Sequence, residues 1–477
     1  MIPELLYQSA RNWPENIAVH DQFGSISYAE LGREVKLFAE ALRQGGIKAG
    51  MGVGVLGKNS RFFIAAVFAV MDCGAVVMPI SSQLKEDEVK QIIKTAGLHA
   101  IIDDQNGIQP LPKAAQYPSF TGMEWRLSFN AAANIAATFA PHVEAPALIR
   151  FTSGTTGTSK GVILSHHSIL ERTASANKVL QLGPEDTVVW VLSMAYHFVV
   201  SIILYIRYGC AIAVCDSFIA DAIIGYTNRF NGTFLYASPM HIRLLAKDAS
   251  GQQLPTLKTV ISTSTGISAA QCEAFQRRFN IPVSQAYGII EVGLPIINFE
   301  KSEAAPDAVG YALPDYQVEI LDDDGNILPP NSIGHLAMSG PGMVDAYLTP
   351  PRGREEILQD GWFMTGDLAS KQEDGLIKIE GRKKSMINVS GNKVFPEEVE
   401  AVLNQHPAIQ LSRVQGFQHR FLGECVQAEV VFKPGQEGDT EEIITFCRKR
   451  LSTYKVPQKL IFVEQLPMTD SGKLIRY

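Results

Sequence analysis

Hydrophobic and polar residues alternate with two different periods along the first 300 residues of the chain. The segment 28–44 (YAELGREVKLFAEALRQ) places apolar side chains at helical spacing, and the mostly apolar segment 62–71 predicts a second helix. Short apolar runs at 53–56 and 75–78 are typical of buried strands. This alternation predicts an α/β fold, in which layered mixed sheets with parallel pairing are covered by helices.

The pattern changes from Val318 onward. A polar turn at 322–326 (DDDGN) is followed by strand-like segments at short intervals, which predicts a β-rich subdomain closing the large N-terminal domain. Charged residues after Gly381 lead into two helices and two strands, predicted at 396–405, 424–432, 441–451 and 459–463. The sequence therefore predicts a large domain at 1–381 and a small α+β C-terminal domain at 382–477.

The composition of the chain argues against several classes of protein. With 46% hydrophobic and 19% charged residues the chain resembles an ordinary globular protein, and its net charge of −7 argues against a general nucleic-acid binder. The longest apolar stretches, 62–80 and 193–215, are interrupted by charged residues and glycine, so no membrane span is predicted. The N-terminus lacks the pattern of a signal peptide, and the six cysteines show no CxxC spacing. We therefore expect reduced core thiols and a cytoplasmic location.

The segment 152–161 (TSGTTGTSKG) combines three glycines with six hydroxyl residues and a lysine. Glycine lets the backbone approach an anion, and consecutive N–H groups form a concave anion site. The segment follows a strand-like run and precedes SHHSILERT, a helix with a capping serine, which favours a phosphate loop over a flexible surface loop. The predicted ligands of the ATP phosphates are Thr152, Ser153, Gly154, Thr155, Thr156, Gly157 and Lys160.

A second glycine-rich segment, 52–59 (GVGVLGKN), satisfies GxGxxG and nearly satisfies the Walker A pattern. Asn59 lacks the hydroxyl that would bind magnesium, and either motif must follow a strand, whereas GVGVLG has the character of the strand itself. We interpret it as a buried strand. The alternative is a dinucleotide-dependent oxidoreductase, which NAD(H) titration tests.

Further motifs occur in a fixed order along nearly the whole chain. They are SYAEL at 27–31, the apolar run that begins at Asn59, QAYGIIE at 285–291, GWFMTGDLA at 361–369, GRKKSMINVSGNKVFPEEVE at 381–400 and LPMTDSGKL at 466–474. Together with the loop, which is close to TSGTTGxPKG, they resemble the adenylate-forming superfamily. This superfamily contains acyl- and aryl-CoA ligases, peptide-synthetase adenylation domains and beetle luciferases.

The resemblance implies an AMP-forming acid–thiol ligase, most like a stand-alone acyl-CoA or acyl-carrier-protein ligase. Such an enzyme uses ATP and Mg²⁺ to convert a carboxylic acid into its acyl-adenylate. It then transfers the acyl group to the thiol of CoA or of a carrier-protein phosphopantetheine. The alternatives are an amide-forming ligase and a catalytically weak nucleotide-binding homologue.

The resemblance also assigns residues to the nucleotide. Asp367 would accept hydrogen bonds from the ribose hydroxyls, and Arg382 would add positive charge near the ribose or phosphates. Tyr287, followed by Gly288 in the ATP site, would stack on adenine. Glu291 would help hold Mg²⁺, which prefers oxygen ligands. The implied catalytic groups are Lys473, Glu291 and Lys160, of which Lys473 would stabilise charge at the α-phosphate.

The small C-terminal domain is expected to rotate on a hinge. Lys384 occupies the hinge position, Lys473 would enter the site in the adenylating pose, and Gly391 would line the thiol channel in the transfer pose. Taken singly, each of these residues has an ordinary structural alternative. Asp367 could be a turn aspartate, for example, and Lys473 a solvated lysine near the C-terminus.

The acid pocket is expected around segment 194–201 (MAYHFVVS), which has no carboxylate to pair with an ammonium group. Because an unpaired buried charge is costly, an acid other than an amino acid is favoured. The candidate pocket residues are His197, Gly288 and Gly293, with Val199, Val200 and Ser238 as further neighbours.

One position departs from the superfamily pattern. Ile290 stands where YGxTE has a threonine, so a hydroxyl expected near the α-phosphate is missing, unless the TSTG segment at 263–266 compensates.

Overall fold

The computed structural model of the chain describes residues 1–105, 111, 114–116, 119–120, 123–151, 160–389, 392–419, 423–468 and 474–475. Its contacts group into two compact units. The first unit holds the described residues up to Gln317 together with Ser339–Phe363. The second holds Val318–Met338 and the described residues from Met364 onward. Residues Val318–Met338 thus group with the C-terminal residues, and the domain boundary at 381–382 stays a prediction.

Many helices begin where the sequence offers a side-chain cap. Ser27, Ser60, Ser165 and Ser268 each accept a hydrogen bond from a backbone N–H in the first turn. The described helices are α1 (Ile2–Asn12), α2 (Tyr28–Gln44), α3 (Arg61–Asp72), α4 (Glu86–Ala96), α5 (His166–Leu180), α6 (Leu204–Arg207), α7 (Ala220–Arg229), α8 (Pro239–Ala246), α9 (Ala269–Phe279), α10 (Arg354–Ile357), α11 (Pro396–Leu403) and α12 (Thr440–Arg448).

The strands are short, as is usual for sheets in globular proteins. Those up to residue 237 are β1 (Ile17–Asp21), β2 (Gly24–Ser27), β3 (Gly52–Gly57), β4 (Val76–Ser81), β5 (Ala100–Asp103), β6 (Ala114–Gln116), β7 (Ser119–Phe120), β8 (Met123–Glu124), β9 (Arg126–Phe129), β10 (Pro146–Phe151), β11 (Gly161–Ser165), β12 (Thr187–Trp190), β13 (Ala211–Val214) and β14 (Phe234–Ala237).

The remaining strands are divided between the two units. They are β15 (Thr259–Ser262), β16 (Val283–Ile289), β17 (Gly293–Ile297), β18 (Tyr311–Ala312), β19 (Gln317–Leu321), β20 (Ile333–Ser339), β21 (Ala346–Tyr347), β22 (Arg352–Gly353), β23 (Phe363–Lys371), β24 (Ile377–Arg382), β25 (Ile387–Val389), β26 (Asn392–Val394), β27 (Ile409–His419), β28 (Gly423–Phe432) and β29 (Lys459–Phe462).

The first unit contains two large mixed sheets, which confirms the predicted layered α/β fold. One has the strand order β18-β17-β16-β15-β14-β12-β13-β1-β2, and all pairs from β16 to β1 are parallel. The carboxyl ends of these parallel strands lie at one edge, where ligands usually bind in such sheets. Three of the segments expected to form the site lie at the ends of strands of this sheet. The segment with His197 follows β12, TSTG follows β15, and QAYGIIE contains the end of β16.

The second sheet has the order β22-β21-β11-β10-β4-β3-β5-β9-β6. The glycine-rich strand β3 lies in its middle, parallel to both β4 and β5, and is buried throughout. A Cβ atom on Gly52 would come within 2.4 Å of the Phe139 ring, so glycine there makes room for a core side chain. The interpretation of GVGVLG as a buried strand is therefore confirmed.

The second unit contains smaller sheets. Strands β19, β20, β23 and β24 form one sheet, and β27, β28 and β29 form another against which α11 and α12 pack. Val399, Ile443 and Cys447 contribute the helical side of that core, and Val426 and Val430 the strand side. This is the α+β arrangement predicted for the C-terminal residues.

Predicted and observed element boundaries differ by a few residues. Helix α2 has the predicted bounds, whereas α12 begins at Thr440 and ends at Arg448, earlier than predicted. The Asp439 side chain accepts hydrogen bonds from two first-turn N–H groups, which sets the start. In the apolar stretch 193–215, residues Phe198–Ile203 are π-helical and run into α6 and then β13. A buried helix leading into a buried strand was predicted there.

The scattered cysteines are all buried free thiols, as the prediction of core thiols requires. Across the residues that the structure describes, none of the helices combines the length and the apolar character needed to cross a bilayer.

Candidate active site

The predicted phosphate loop connects two paired strands. Residues 152–159 lie outside the described residues, but the strands on either side of them are described. Phe151 at the end of β10 pairs with Gly161 at the start of β11 in an antiparallel register. Strand β11 lies between the loop and helix α5, which begins at His166. The pairing of β10 with β11 places Phe151 and Gly161, the strand residues on either side of the loop, opposite each other in the sheet.

Lys160 and Glu291 both contact the same aromatic residue, Tyr347. The Lys160 ammonium nitrogen lies 4.6 Å from the centroid of the Tyr347 ring, within the range of a cation–π contact. The Tyr347 hydroxyl donates a hydrogen bond to Glu291 Oε1 at 3.3 Å. The structure therefore brings together two of the three predicted catalytic groups through a residue that the sequence analysis did not single out. The only available signal was an aromatic residue in the strand-like segment DAYL.

Two arginines near Glu291, the partly buried Arg150 and the buried Arg172, were also missed. Arg150 lies on β10 directly before the predicted phosphate loop, and its guanidinium donates to the backbone carbonyl of Tyr196. Burial lowers the pKa of Arg150, and the negative charge of Glu291 opposes that shift. Arg172 on α5 donates to the carbonyl of Ile290 at 2.9 Å. Burial lowers the pKa of Arg172 to about 10, so it stays charged at neutral pH.

These contacts fix the turn that carries Glu291. The Val344 N–H donates to the Glu291 carbonyl at 2.7 Å, and Arg172 also donates to the carbonyl of Gly342. A charged residue within an apolar strand (ALIRF) was the signal for Arg150, whereas the partners of Arg172 are more than 100 residues away and only folding reveals them.

Tyr287, Gly288 and Gly293 lie together in the hairpin formed by β16 and β17. A Cβ atom on Gly288 would come within 2.5 Å of the Gly293 carbonyl oxygen, so a larger residue would force the two strands apart. Gly293 has φ +105°, a conformation that favours glycine. The close approach of these two glycines positions the backbone between Tyr287 and Glu291.

His197 is surrounded by aromatic and hydroxyl side chains. Its ring is edge-on to Trp190 and to Tyr236, with centroid distances of 6.4 Å in both cases, and Trp190 stacks on Tyr236. His197 Nε2 lies 3.4 Å from the Ser264 hydroxyl. These contacts of His197 are with aromatic rings and a hydroxyl group.

Asn59, from the rejected Walker-like segment, holds the backbone that leads to His197. Its side-chain amide donates to the Leu192 carbonyl at 2.7 Å and accepts from the Met194 N–H at 2.9 Å. An asparagine can make both hydrogen bonds at once, because its amide is a donor and an acceptor. Its position after β3 thus has a structural purpose unrelated to phosphate binding.

The TSTG segment follows β15 and divides into a buried and a more accessible part. The Thr263 hydroxyl is buried and accepts a hydrogen bond from Tyr236 at 3.2 Å. Ser264 beside His197 has φ +78°, which is unusual for a residue with a side chain. The first two hydroxyls of this turn thus each have a partner, Tyr236 for Thr263 and His197 for Ser264.

In the second unit, Asp367 and Arg382 face each other on β23 and β24. They are register partners, and Arg382 Nε lies 2.9 Å from Asp367 Oδ1. Asp367 is 4% exposed, whereas Arg382 is about half exposed. Thr365 accepts a hydrogen bond from the Asp367 N–H at 3.1 Å and donates to the Leu336 carbonyl, which braces the TGD turn. The structure therefore pairs the two predicted ribose-site residues.

The predicted hinge residue Lys384 is exposed in a 3-10 turn, Lys383–Ser385, between β24 and β25. Its neighbour Lys383 is bonded to Asp323 at 2.9 Å. Lys473 and Gly391 lie outside the described residues, so their predicted roles stay predictions.

Comparison with known proteins identifies the family. Residues 6–348 match the AMP-binding enzyme family, and residues 398–473 match the AMP-binding enzyme C-terminal domain. This chain belongs to the AMP-binding enzyme family. The match confirms the resemblance drawn from the ordered motifs, and with the relatives it confirms the predicted class, an AMP-forming acid–thiol ligase.

Two ligases and one protein of known structure are similar to this chain. The chain is 28% identical to the fatty acid–[acyl-carrier-protein] ligase ScoC of Streptomyces coeruleorubidus, and the alignment covers 98% of this chain and 93% of the relative. It is also 28% identical to the 2-succinylbenzoate–CoA ligase of Bacillus thuringiensis, and that alignment covers 100% of this chain and 97% of the relative. ATP-bound MatB of Rhodopseudomonas palustris has the same fold, with a TM-score of 0.85 at 24% identity. The superposition covers 99% of this chain and 97% of MatB.

Proposed function

We propose that this AMP-binding enzyme activates a carboxylic acid with ATP and passes the acyl group to a phosphopantetheine thiol. In the first step a carboxylate oxygen attacks the α-phosphorus of ATP, the bond to the β-phosphate breaks, and pyrophosphate leaves. In the second step the thiol sulfur attacks the acyl carbon, the bond to AMP breaks, and the thiol proton is released. The observation that carries this proposal is the convergence of Lys160 and Glu291 on Tyr347 beside the strands that flank residues 152–159.

Each residue has a role that its chemistry suits. The ammonium of Lys160 would neutralise the outer phosphates, and the partly buried Arg150 would add a fixed positive charge near them. The carboxylate of Glu291 would hold Mg²⁺, a cation that commonly takes one or two protein carboxylates and completes its shell with phosphate oxygens and water. When bound, Mg²⁺ neutralises charge on the departing pyrophosphate. The Glu291 turn, fixed by Arg172 and Val344, suits this task.

In the second unit, Asp367 would accept hydrogen bonds from the two ribose hydroxyls, and Arg382 would contribute positive charge beside it. Lys384 would act as the hinge residue, Lys473 would stabilise charge at the α-phosphate, and Gly391 would line the path of the thiol. These roles follow from the family motifs and from the chemistry of the side chains.

The surroundings of His197 support an acid without an ammonium group. The aromatic rings of Trp190 and Tyr236 and the hydroxyl of Ser264 can contact an apolar or aromatic acid, but they cannot neutralise a cation. The relatives named above act on fatty acids and on 2-succinylbenzoate, which also carry no ammonium group.

The test of this proposal is exchange of labelled pyrophosphate into ATP across a panel of fatty, aryl and amino acids. We expect exchange with at least one fatty or aryl acid and none with the amino acids. CoA and a phosphopantetheine-bearing carrier protein, added separately, should then distinguish the two sources of the thiol. Binding of ATP without exchange for any acid would instead support the catalytically weak homologue.

The residue at position 290 gives a direct test of that alternative. Ile290→Thr is expected to raise the exchange rate by about threefold to tenfold, because it adds a hydroxyl donor where the family places one near the α-phosphate. Ile290→Val is the matched control, since valine has nearly the shape of threonine without the hydroxyl. Equal rates for both variants would show that position 290 does not contact the reacting phosphate.

A further inference from the structure

Tyr347 is buried between two groups of opposite charge. It is 4% exposed, its ring face lies against the Lys160 ammonium, and its hydroxyl reaches Glu291. One rigid side chain therefore contacts both the cation and the carboxylate that the proposed function assigns to MgATP.

The backbone on both sides of this contact is fixed. Tyr347 pairs with Val162 across β11 and β21, and the Leu348 N–H donates to the Gly161 carbonyl at 2.7 Å. Lys160 directly precedes this strand. On the other side, the Val344 N–H holds the Glu291 carbonyl. Since both neighbours are tied to the segment that carries Tyr347, its ring cannot move far from either of them.

The chemistry of the two groups sets the direction of the Tyr347 hydrogen bond. A carboxylate can only accept, so the Tyr347 hydroxyl donates to Glu291 Oε1 at 3.3 Å. The second carboxylate oxygen then stays available to a cation, with its orientation set by the first.

The ring face has a separate effect on Lys160. An ammonium beside a carboxylate tends to form a direct ion pair, which would have to break before either group could bind MgATP. The Tyr347 ring offers the ammonium a weaker contact at 4.6 Å, from which a phosphate can withdraw it at lower cost.

We propose that Tyr347 is a positioning residue, which orients Glu291 for Mg²⁺ and holds the Lys160 ammonium ready for the ATP phosphates. This inference rests on the proposed function. It adds a residue that acts through its two neighbours and touches no reacting atom.

The test compares Tyr347→Phe, which keeps the ring and loses the hydroxyl, with Tyr347→Leu, which loses both. Tyr347→Phe is expected to raise the Mg²⁺ concentration for half-maximal pyrophosphate exchange by about threefold to tenfold, with kcat at saturating Mg²⁺ nearly unchanged. By calorimetry its affinity for ATP should fall by a similar factor with Mg²⁺ present and stay unchanged with EDTA. Tyr347→Leu should weaken ATP binding in EDTA as well, because Lys160 loses the ring.

Two controls separate this role from ordinary packing. Tyr28→Phe removes another buried hydroxyl, which donates to the Cys210 carbonyl at 2.7 Å, and should leave the Mg²⁺ dependence unchanged. In a Glu291→Gln background, Tyr347→Phe should add no further Mg²⁺ effect, since the two changes act on one interaction.

Failure of the proposed Tyr347 role and failure of the proposed Glu291 role give different results. If Glu291→Gln raises the Mg²⁺ requirement while Tyr347→Phe behaves like the unmodified protein in both assays, the inference is overturned and the proposed function stands. If Glu291→Gln itself leaves the Mg²⁺ dependence unchanged, the magnesium role of Glu291 is overturned together with the inference.

Discussion

Lys473→Ala is expected to slow acid-dependent exchange of pyrophosphate into ATP by about 10²-fold to 10³-fold, the usual effect of removing a group that stabilises charge in a transition state. When a carboxylate attacks the α-phosphorus, negative charge spreads over the phosphate oxygens, and alanine cannot neutralise it. The affinity for ATP, measured separately by calorimetry, should change much less, because the interaction is strongest in the transition state.

The proposed mechanism has an adenylating pose and a transfer pose, and it predicts a different effect of Lys473→Ala on each step. In the proposed mechanism Lys473 acts in adenylation but not in transfer, so the variant should still convert a supplied acyl-adenylate to thioester when the thiol is added. Lys459→Ala, an exposed lysine on β29, is the matched control and should exchange at the normal rate. Normal exchange by Lys473→Ala would remove this lysine from the adenylation step.

Asp367→Asn is expected to raise the KM for ATP by about tenfold to 100-fold, because hydrogen bonds to a charged acceptor are worth roughly twice as much as neutral ones. Asparagine preserves the size of the side chain but replaces one acceptor oxygen by a donor group. Its partner Arg382 is about half exposed, so water can solvate the guanidinium when the ion pair is lost, and the fold should survive.

Deoxy analogues of ATP show whether the effect arises at the ribose. The unmodified enzyme should prefer ATP to its 2′-deoxy and 3′-deoxy analogues, and Asp367→Asn should lose most of that preference. The matched control is Glu319→Gln, which breaks the ion pair of Glu319 with Lys371, 3.0 Å apart in the same sheet. If Asp367→Asn keeps the full preference for ATP, Asp367 does not bind the ribose.

The sequence determined the class of fold and the family, because both depend on local patterns. Helix α2 was predicted with its observed bounds, since its apolar spacing and its capping serine are encoded within 18 consecutive residues. The dismissal of GVGVLG as a nucleotide loop was also a local argument, and β3 is indeed a buried strand. The motifs carry their chemistry in the same way, through the order of a few neighbouring residues.

The tertiary structure decided which of these residues share an environment. Sequence reasoning missed Tyr347 and Arg172 because their partners are distant along the chain, and a tyrosine or arginine alone does not indicate which residue it will contact. The hydroxyl of Tyr347 reaches Glu291 across 56 positions, and Arg172 reaches Ile290 across 118. Local sequence sets backbone preference and side-chain chemistry, whereas only long-range contacts bring a lysine to the ring face of Tyr347 and a carboxylate to its hydroxyl.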